Sequence, residues 1–405
     1  MNLSFFIAKR LIGKSEHRVS RPVMRVAILA VSLSIAVMLI SIATISGFQN
    51  EIRDKVIGYG SHIQVTHFSK DNSFESKILS NSSELKNKIS KIDGVVDVQK
   101  FATKAGLIKT DEEIYGIVLK GVDQNYSFSF FENYLLEGEI PIYNSEKISN
   151  EIIISFTIAS KLKMKVGDTF TTYFIQKPTR ARKFSISAIY DSGLSEFDDL
   201  YIVGDLKHIQ KLNKWSKNQC GGLEIKSSSI EKLIETTKLI NNEIGYDLIA
   251  QNITDLNPQL FNWLKLQDIN VIIIIVLMML VALINITTLL FILILERIQM
   301  IGILKSMGLS DWGIRKIFLY FTNYIMTRGL LFGNFFALTL LLIQKVFKVV
   351  KLDQATYYMS EVPIHFDLKD ILLLNLGTIT ISFIVLIIPT YLVSKIRPIK
   401  TIRFE

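Results

Sequence analysis

Residues 269–295 read INVIIIIVLMMLVALINITTLLFILIL, twenty-seven positions without one charged side chain. A helix needs about 20 apolar residues, at ~1.5 Å rise each, to cross the ~30 Å hydrocarbon core of a bilayer. This stretch exceeds that length, so the chain is read as a membrane protein. The next fourteen residues, 296–309, read ERIQMIGILKSMGL. The Glu296–Arg297 pair stops the apolar run at a membrane surface. A short amphipathic helix is then expected. Met300, Ile301, Ile303, Leu304 and Met307 are its apolar positions, and Gln299, Lys305 and Ser306 its polar ones. Gly302 and Gly308 bracket it; Gly308 suits a helix C-cap and Ser310 an N-cap for the following helix. Such a helix either lies on lipid or plugs the groove of a partner, and five apolar residues on so short an element favour the groove.

Three further stretches meet the length test: Met24–Ser46, Ile317–Ile343 with the single charge Arg328, and Ile371–Ser394. The first is too long for a signal-peptide core and lacks a small-residue cleavage site, so it is read as an uncleaved anchor. The net charge of +9 suggests nucleic acid or anionic lipid until it is located along the chain. Residues 1–23, 296–316 and 395–405 carry net charges of +4, +2 and +3, whereas residues 47–268 carry 27 bases and 29 acids. Basic residues gather on the cytoplasmic side of membrane proteins. Both termini and the 296–316 loop are therefore expected inside, and the basic excess is a topology signal rather than a nucleic-acid footprint. The expected layout is a cytoplasmic segment 1–23, span 24–46, an extracytoplasmic domain 47–267, span 268–295, a cytoplasmic loop 296–316, span 317–343, a short outer loop 344–370, span 371–394 and a cytoplasmic tail 395–405. Trp263, Trp312 and Tyr391 sit at span ends, as interfacial aromatics should.

The outer domain is long enough to bury a core of its own. Its pattern predicts a mixed α+β fold. Strands are expected at Ser61–Phe68, Val95–Val98, Lys104–Lys109, Ile114–Leu119, Ile152–Ile154, Phe170–Ile175, Phe184–Tyr190, Leu223–Ile225 and Tyr246–Ala250. Helices are expected at Leu85–Ile92, Ile158–Lys163 and Ile230–Glu243. Turns fall at Asp93-Gly94, Asp111–Glu113 and Gly167-Asp168. Leu256–Leu266 leads into the second span as a continuous helix.

The sequence carries no recognisable catalytic motif. Gly106-Leu-Ile-Lys-Thr110 lacks the upstream glycine of a phosphate loop and reads as a hairpin. The five histidines are scattered, with His62 and His67 on opposite faces of one strand, and no serine sits in a nucleophile elbow. One cysteine, Cys220, excludes an internal disulfide or a multi-cysteine metal site. No enzyme activity, cofactor or metal is expected. In the spans, Arg328 either meets a polar partner or snorkels to the cytoplasmic interface. Ala27, Ala30, Ser34 and Ser41 form a small-residue face that lets helices approach, and Asn285 is expected to face a helix.

Several stretches together resemble the FtsX/MacB-type permease superfamily of ABC transporters, and within it the lipoprotein-releasing permeases, LolC/LolE. They are Phe6–Arg10, Ser46–Gly58 with Ser61–Ile63, Leu283–Ile286 through Glu296-Arg297 to Ile301–Gly308, and Pro398–Glu405. Val166–Asp168 and Tyr190–Asp198 are weaker matches. The resemblance implies four transmembrane helices, one before the outer domain and three after it. It also implies a bacterial inner-membrane location, and an outer domain made of a ferredoxin-like porter part (61–122 plus 222–252) and a β-rich insert (123–221). The implied partners are a cytoplasmic ABC ATPase dimer, a second permease chain, the same or homologous, and lipoprotein cargo in contact with membrane lipid. The ATPase-coupling residues would be Glu296, Arg297, Gln299, Met300, Ile301, Gly302, Leu304, Lys305, Met307 and Gly308. A periplasmic lipoprotein chaperone would meet the short hairpin tip at Lys177, Pro178, Arg180 and Arg182. Alternatives within the superfamily are a MacB-like exporter of drugs or peptides and an FtsX-like transmitter to cell-wall hydrolases.

The lipid cargo so implied constrains the mechanism. At ~0.8 kcal/mol per buried CH₂, two or three acyl chains are worth on the order of 30 kcal/mol, too much for one ATP to place them in water. They must move between apolar sites, so a cavity is expected at the outer ends of spans one and two. Its candidate walls are Met38, Ile42, Ile45 and Phe48, with Leu266, Ile269, Ile273 and Leu277.

Overall fold

The computed structural model describes residues 3–13, 20–68, 74–110, 113–144 and 146–391. The basic tail 395–405, the end of the fourth expected span, part of the N-terminal basic cluster and the first two residues of the 111–113 turn lie outside the described residues. Two helices come first, α1 (Leu3–Gly13) and α2 (Ser20–Gly60). Then follow β1 (Ile63–His67), α3 (Ser82–Ile89), β2 (Val95–Lys109), β3 (Ile114–Val122), α4 (Ser129–Asn133), β4 (Leu135–Gly138), β5 (Glu151–Ser155), α5 (Phe156–Leu162), β6 (Thr169–Phe174), β7 (Arg180–Tyr190), α6 (Ser195–Asp198), β8 (Tyr201–Asp205), α7 (Leu206–Asn213), β9 (Gly222–Ser227), α8 (Leu233–Glu243), β10 (Leu248–Asn252) and α9 (Ile253–Leu256). The chain continues as α10 (Pro258–Glu296), α11 (Ile298–Ser306), α12 (Asp311–Phe347), α13 (Gln354–Tyr357) and α14 (Leu368–Thr390). Two compact units result: Met1–Asn50, Trp263–Lys351 and Val362–Glu405 in one, Glu51–Asn262 and Leu352–Glu361 in the other.

The first unit is helical. α2, α10, α12 and α14 contain segments long and apolar enough to cross a membrane. With 41 and 39 residues, α2 and α10 are each about 60 Å long, twice the hydrocarbon thickness. α2 thus runs fourteen residues past Ser46, where the apolar run ends; no proline interrupts it, and Gly47 and Gly58 are held within the helix where neighbouring chain packs against them. One buried cluster joins the helices, with Val31, Ile35 and Met38 of α2, Ile286 and Leu290 of α10, Ile325 and Ala337 of α12, and Leu374 and Leu386 of α14. Gly329 and Gly333 of α12 make the closest approach. A Cβ at Gly333 would stand 2.7 Å from the Ser32 carbonyl oxygen, and one at Gly329 2.6 Å from Val31 Cγ1. Asn334 and Asn375 exchange side-chain hydrogen bonds of 2.7 and 3.1 Å between α12 and α14, which satisfies both amides among apolar neighbours. α1, which charge alone does not reveal as a helix, packs on α12. Ser4 Oγ donates to the Gly313 carbonyl at 2.9 Å, and Phe5 meets Tyr320 edge-on.

The second unit is built on one mixed ten-stranded sheet in the order β10-β1-β9-β2-β3-β8-β5-β7-β4, with β6 against β2 and β7. The β10-β1-β9-β2 end is antiparallel throughout. The β3–β8 and β5–β7 pairs are parallel. α3 and α8 pack on β2, β9 and β10, and α7 packs on β2 and β3. The two strands expected at Val95–Val98 and Lys104–Lys109 are one strand. Gln99, Lys100 and Phe101 continue the ladder to β9, and the β3 ladder begins at Phe101. Lys100 and Lys104 interrupt the apolar alternation that would have marked it, and buried Lys104 instead pairs with Glu75 at 3.3 Å. β8 and α7 have no counterpart in the sequence reading. Asp205 caps α7 by accepting from Lys207 N at 3.0 Å, and Leu206, Ile209 and Leu212 form its buried face.

Candidate functional site

Gly308 and Ser310 end one helix and start the next as expected, but Gly302, expected to bracket the short helix, lies buried inside it because a single glycine is tolerated in a helix interior that packs closely. α10 ends at Glu296, and α11 runs from Ile298 to Ser306. Gly308 takes φ +89° while its N–H reaches the Lys305 carbonyl at 3.0 Å, and Leu309 N reaches Leu304 O at 3.0 Å, which closes the helix. Ser310 Oγ accepts from Gly313 N at 3.2 Å and starts α12. Lys305 and Asp311 pair at 2.8 Å across the turn. The apolar positions divide. Ile301 and Gly302 are buried, Leu304 packs partly against the helical core, and Met300 and Arg297 are half-buried. Ile303 and Met307 are 53% and 77% exposed, and with Gln299 and Ser306 they form the outward stripe. Glu296 and Gly308 are also exposed. A receptor for this helix would therefore meet Ile303 and Met307; Ile303 was counted as apolar in the sequence but not placed among the coupling residues.

The expected cavity residues occupy two environments. Met38 is buried in the helical cluster, with Ile42 partly buried against it and Ile45 half-buried. Phe48 is buried edge-on to Trp263, with 5.4 Å between ring centres. Leu266, Ile269, Ile273 and Leu277 of α10 are all more than half exposed. The α2 members serve the chain's own packing, and the α10 members form an uncovered apolar face. Of the small-residue stripe of α2, Ala27 and Ser34 are buried and Ala30 and Ser41 half-buried; the α2 residues that meet the α12 glycines are Ile28, Val31, Ser32 and Ile35. Asn285 Nδ2 donates to its own helix at Val281 O, 2.9 Å away, and Arg328 is exposed with its guanidinium 5.0 Å from the Tyr324 ring centre.

The Ser46–Gly58 stretch has a residue-by-residue explanation. A Cβ at Gly47 would come within 2.5 Å of the Pro363 carbonyl oxygen, so only glycine lets residues 362–366 lie against α2; His365 N donates to Ala43 O at 3.1 Å. Gln49 Nε2 donates to Leu264 O at 3.1 Å and Asp268 Oδ1 at 2.8 Å, tying α2 to the start of α10. Within the second unit, Gly58 leaves room for the Phe130 ring.

The hairpin between β6 and β7 presents Lys177 and Pro178 to solvent, while Arg180 and Arg182 are half-buried. Arg180 Nη1 donates to Lys211 O at 3.2 Å and Gln176 Nε2 to Leu212 O at 3.3 Å, at the C-terminal end of α7. Half of the basic tip is thus folded back on its own domain.

Sequence reading missed a buried ion pair under a cavity of about 720 Å³ in the second unit. Aromatic side chains Tyr59, Phe74, Phe101, Phe197 and Tyr201 wall the cavity. Lys120 Nζ, 3% exposed, stands 2.8 Å from Glu224 Oε1 and donates to Tyr59 O at 2.5 Å and Tyr126 Oη at 3.3 Å. Burial alone would lower the Lys120 pKa, but the Glu224 carboxylate outweighs it and holds the ammonium above its ordinary value. Gln64 Nε2 donates to the same Glu224 oxygen at 3.2 Å. The signal was Lys120 inside the apolar run of β3; Glu224 shares β9 with Lys226 and Ser227 and does not stand out.

The sequence pattern of the MacB-like periplasmic core domain matches residues 26–230, and that of the FtsX-like permease C-terminal region matches residues 272–398. The chain belongs to the MacB-like, FtsX-type permeases. The permease is similar along nearly its whole length to proteins named lipoprotein-releasing system transmembrane proteins. The LolC protein of Xylella fastidiosa is 20% identical over 401 residues, covering 94% of this chain and 93% of that one. The LolC protein of Neisseria meningitidis is 20% identical over 399 residues, covering 94% of each. The LolE protein of Haemophilus influenzae is 20% identical over 417 residues, covering 98% of each. The permease is therefore an ABC transporter membrane component, with a mixed-sheet domain of the periplasmic type inserted after its first long helix.

Proposed function

We propose that the permease is a membrane subunit of a lipoprotein-releasing ABC transporter. It couples ATP hydrolysis by a separate cytoplasmic ATPase dimer to extraction of lipoproteins from the inner membrane toward a periplasmic carrier. The observation that carries this reading is the similarity to LolC and LolE proteins across both the helical and the soluble parts. In this reading both termini and α11 face the cytoplasm and the sheet domain faces the periplasm; the distribution of bases along the chain supports it. Ile303 and Met307 enter the ATPase groove, and the buried Ile301 passes the push to the helical core. The uncovered α10 face at Leu266, Ile269, Ile273 and Leu277 forms one wall of the cargo path, and a second permease chain supplies the facing wall. We read β1-α3-β2 and β9-α8-β10 as the ferredoxin-like porter part, because their order, β10-β1-β9-β2, is that of a ferredoxin-like sheet; the segment between β2 and β9 is the insert.

The test is reconstitution in liposomes with the ATPase and any co-purifying permease chain. Release of a triacylated lipoprotein to a soluble carrier, dependent on ATP, is the expected result. ATP-driven movement of a peptide or drug with no lipoprotein released would overturn the reading in favour of a MacB-like exporter.

A further inference from the structure

One cluster in the second unit has no part in the function just proposed. Lys55 lies near the C-terminal end of α2 and is 5% exposed. A buried ammonium is costly unless its protons are taken up. Lys55 Nζ donates to Ser192 O at 2.7 Å and to Tyr358 O at 2.8 Å, while Glu51 Oε1 lies 3.9 Å away and the Tyr134 ring centre 5.1 Å away. Three remote pieces of chain thus meet at one nitrogen.

Both carbonyls are held in place. Ser192 donates from Oγ to Asp198 Oδ1 at 2.8 Å and from its backbone N to Asp198 Oδ2 at 3.2 Å. Gly193, at φ +73°, presses on the other loop: a Cβ there would come within 2.9 Å of Tyr358 O. Tyr358, at φ +61°, caps α13, and Gln354 Nε2 donates to Asp191 Oδ1 at 2.8 Å. The segment closes on itself through Leu352 N to Ser360 O at 2.9 Å. Residues 352–361 therefore belong by their contacts to the soluble unit, although the chain on either side of them runs into α12 and α14.

We propose that Lys55 is a latch that fastens the 352–361 loop to the 191–198 loop, making both α2 and the α12–α14 connection load-bearing attachments of the soluble domain. Force entering along α2 and force entering through α12 and α14 then meet at the start of the Asp191–Asp198 segment, while α2 also bears on the sheet domain through Tyr59 and Lys120. The purpose of the latch rests on the transport reading; its existence does not. Hydrogen exchange separates the two.

The experiment compares the detergent-solubilised complex with its ATPase in wild-type, Lys55→Met, Lys55→Arg and Gln354→Ala forms. In Lys55→Met, amides of 354–360 and 191–199 should exchange on the order of ten-fold faster, equivalent to about 1.4 kcal/mol. Amides of β2 and β9 should be unchanged, basal ATPase activity retained, and lipoprotein release reduced. Lys55→Arg, which can still donate to both carbonyls, should restore protection and release. Gln354→Ala should loosen 354–360 alone. Unchanged exchange in Lys55→Met, or acceleration spread over the whole domain, overturns the latch. A loosened loop with normal release overturns its load-bearing role. Absence of lipoprotein release from the wild-type complex counts against the transport reading, and the exchange data still decide the latch.

Discussion

Replacing Lys120 by Met removes one charge of a buried pair while nearly preserving the side chain's volume. Glu224, 2% exposed, then loses its 2.8 Å partner and retains Gln64 Nε2 at 3.2 Å. Breaking one side of a buried ion pair costs roughly 3–5 kcal/mol, because the remaining charge is left desolvated. For a unit of about 220 residues, 1 kcal/mol shifts the melting temperature by about 2–4 °C, so Lys120→Met should melt roughly 6–20 °C early. The deficit should also depend on pH. Burial raises the Glu224 pKa and Lys120 opposes that rise, so the variant's carboxyl moves higher still. An acid raised in the folded state gives its full stability below the unfolded value, roughly 4.3, and loses it as pH rises through the folded value. The gap between variant and wild type should therefore widen from pH 4 to pH 8. Replacing Glu224 by Leu as well removes the stranded charge and should recover most of the loss. Scanning calorimetry of the detergent-solubilised permease across that pH range is the assay. A single variant as stable as wild type at pH 8, or a double variant less stable than the single one, would refute the reasoning.

Met307→Asp and Ile303→Asp should cut ATP-driven lipoprotein release at least ~10-fold by placing a charge in an apolar groove, whereas Ile301→Asp should also lower stability; co-purification of the ATPase checks the first effect and melting the second. Gly333→Val forces α2 and α12 apart where a Cβ already meets the Ser32 carbonyl, and should destabilise the helical unit by about 1–3 kcal/mol, read as loss of monodisperse protein in detergent. Burial and the neighbouring Asp191 push Asp198 up to about 6 against the Ser192 bonds, so its contribution is complete below about pH 4 and declines as pH rises to 6 and beyond. The decline is on the order of 3 kcal/mol, and Asp198→Asn should remove that slope from a pH series of melting curves.

Much of the architecture was legible because bilayer and backbone impose simple arithmetic. A charge-free run of twenty-seven residues reads as a membrane helix, and a glycine followed by Leu-Ser reads as the end of one helix and the start of another. Val95–Lys109 shows where pattern reading fails. Its two lysines break the alternation, and only the neighbouring strands reveal one continuous ladder. The site was legible to the same degree. Composition identified α11 as amphipathic, yet burial of Ile301 and exposure of Ile303 depend on which face meets α12. Likewise Met38 and Leu277 look alike in sequence, and only packing separates an inward residue from an uncovered one.

By itself the sequence determined the number of long apolar helices, the segments in which the bases collect, the end of α11 and the start of α12, because each depends on local composition along a single stretch. Tertiary structure alone decided that Lys120 meets Glu224, that Gly333 must stay small against Ser32, and that Lys55 gathers Ser192 and Tyr358. Those contacts join residues 104 to 303 positions apart, and no local pattern records which distant carbonyl or carboxylate will satisfy a buried charge.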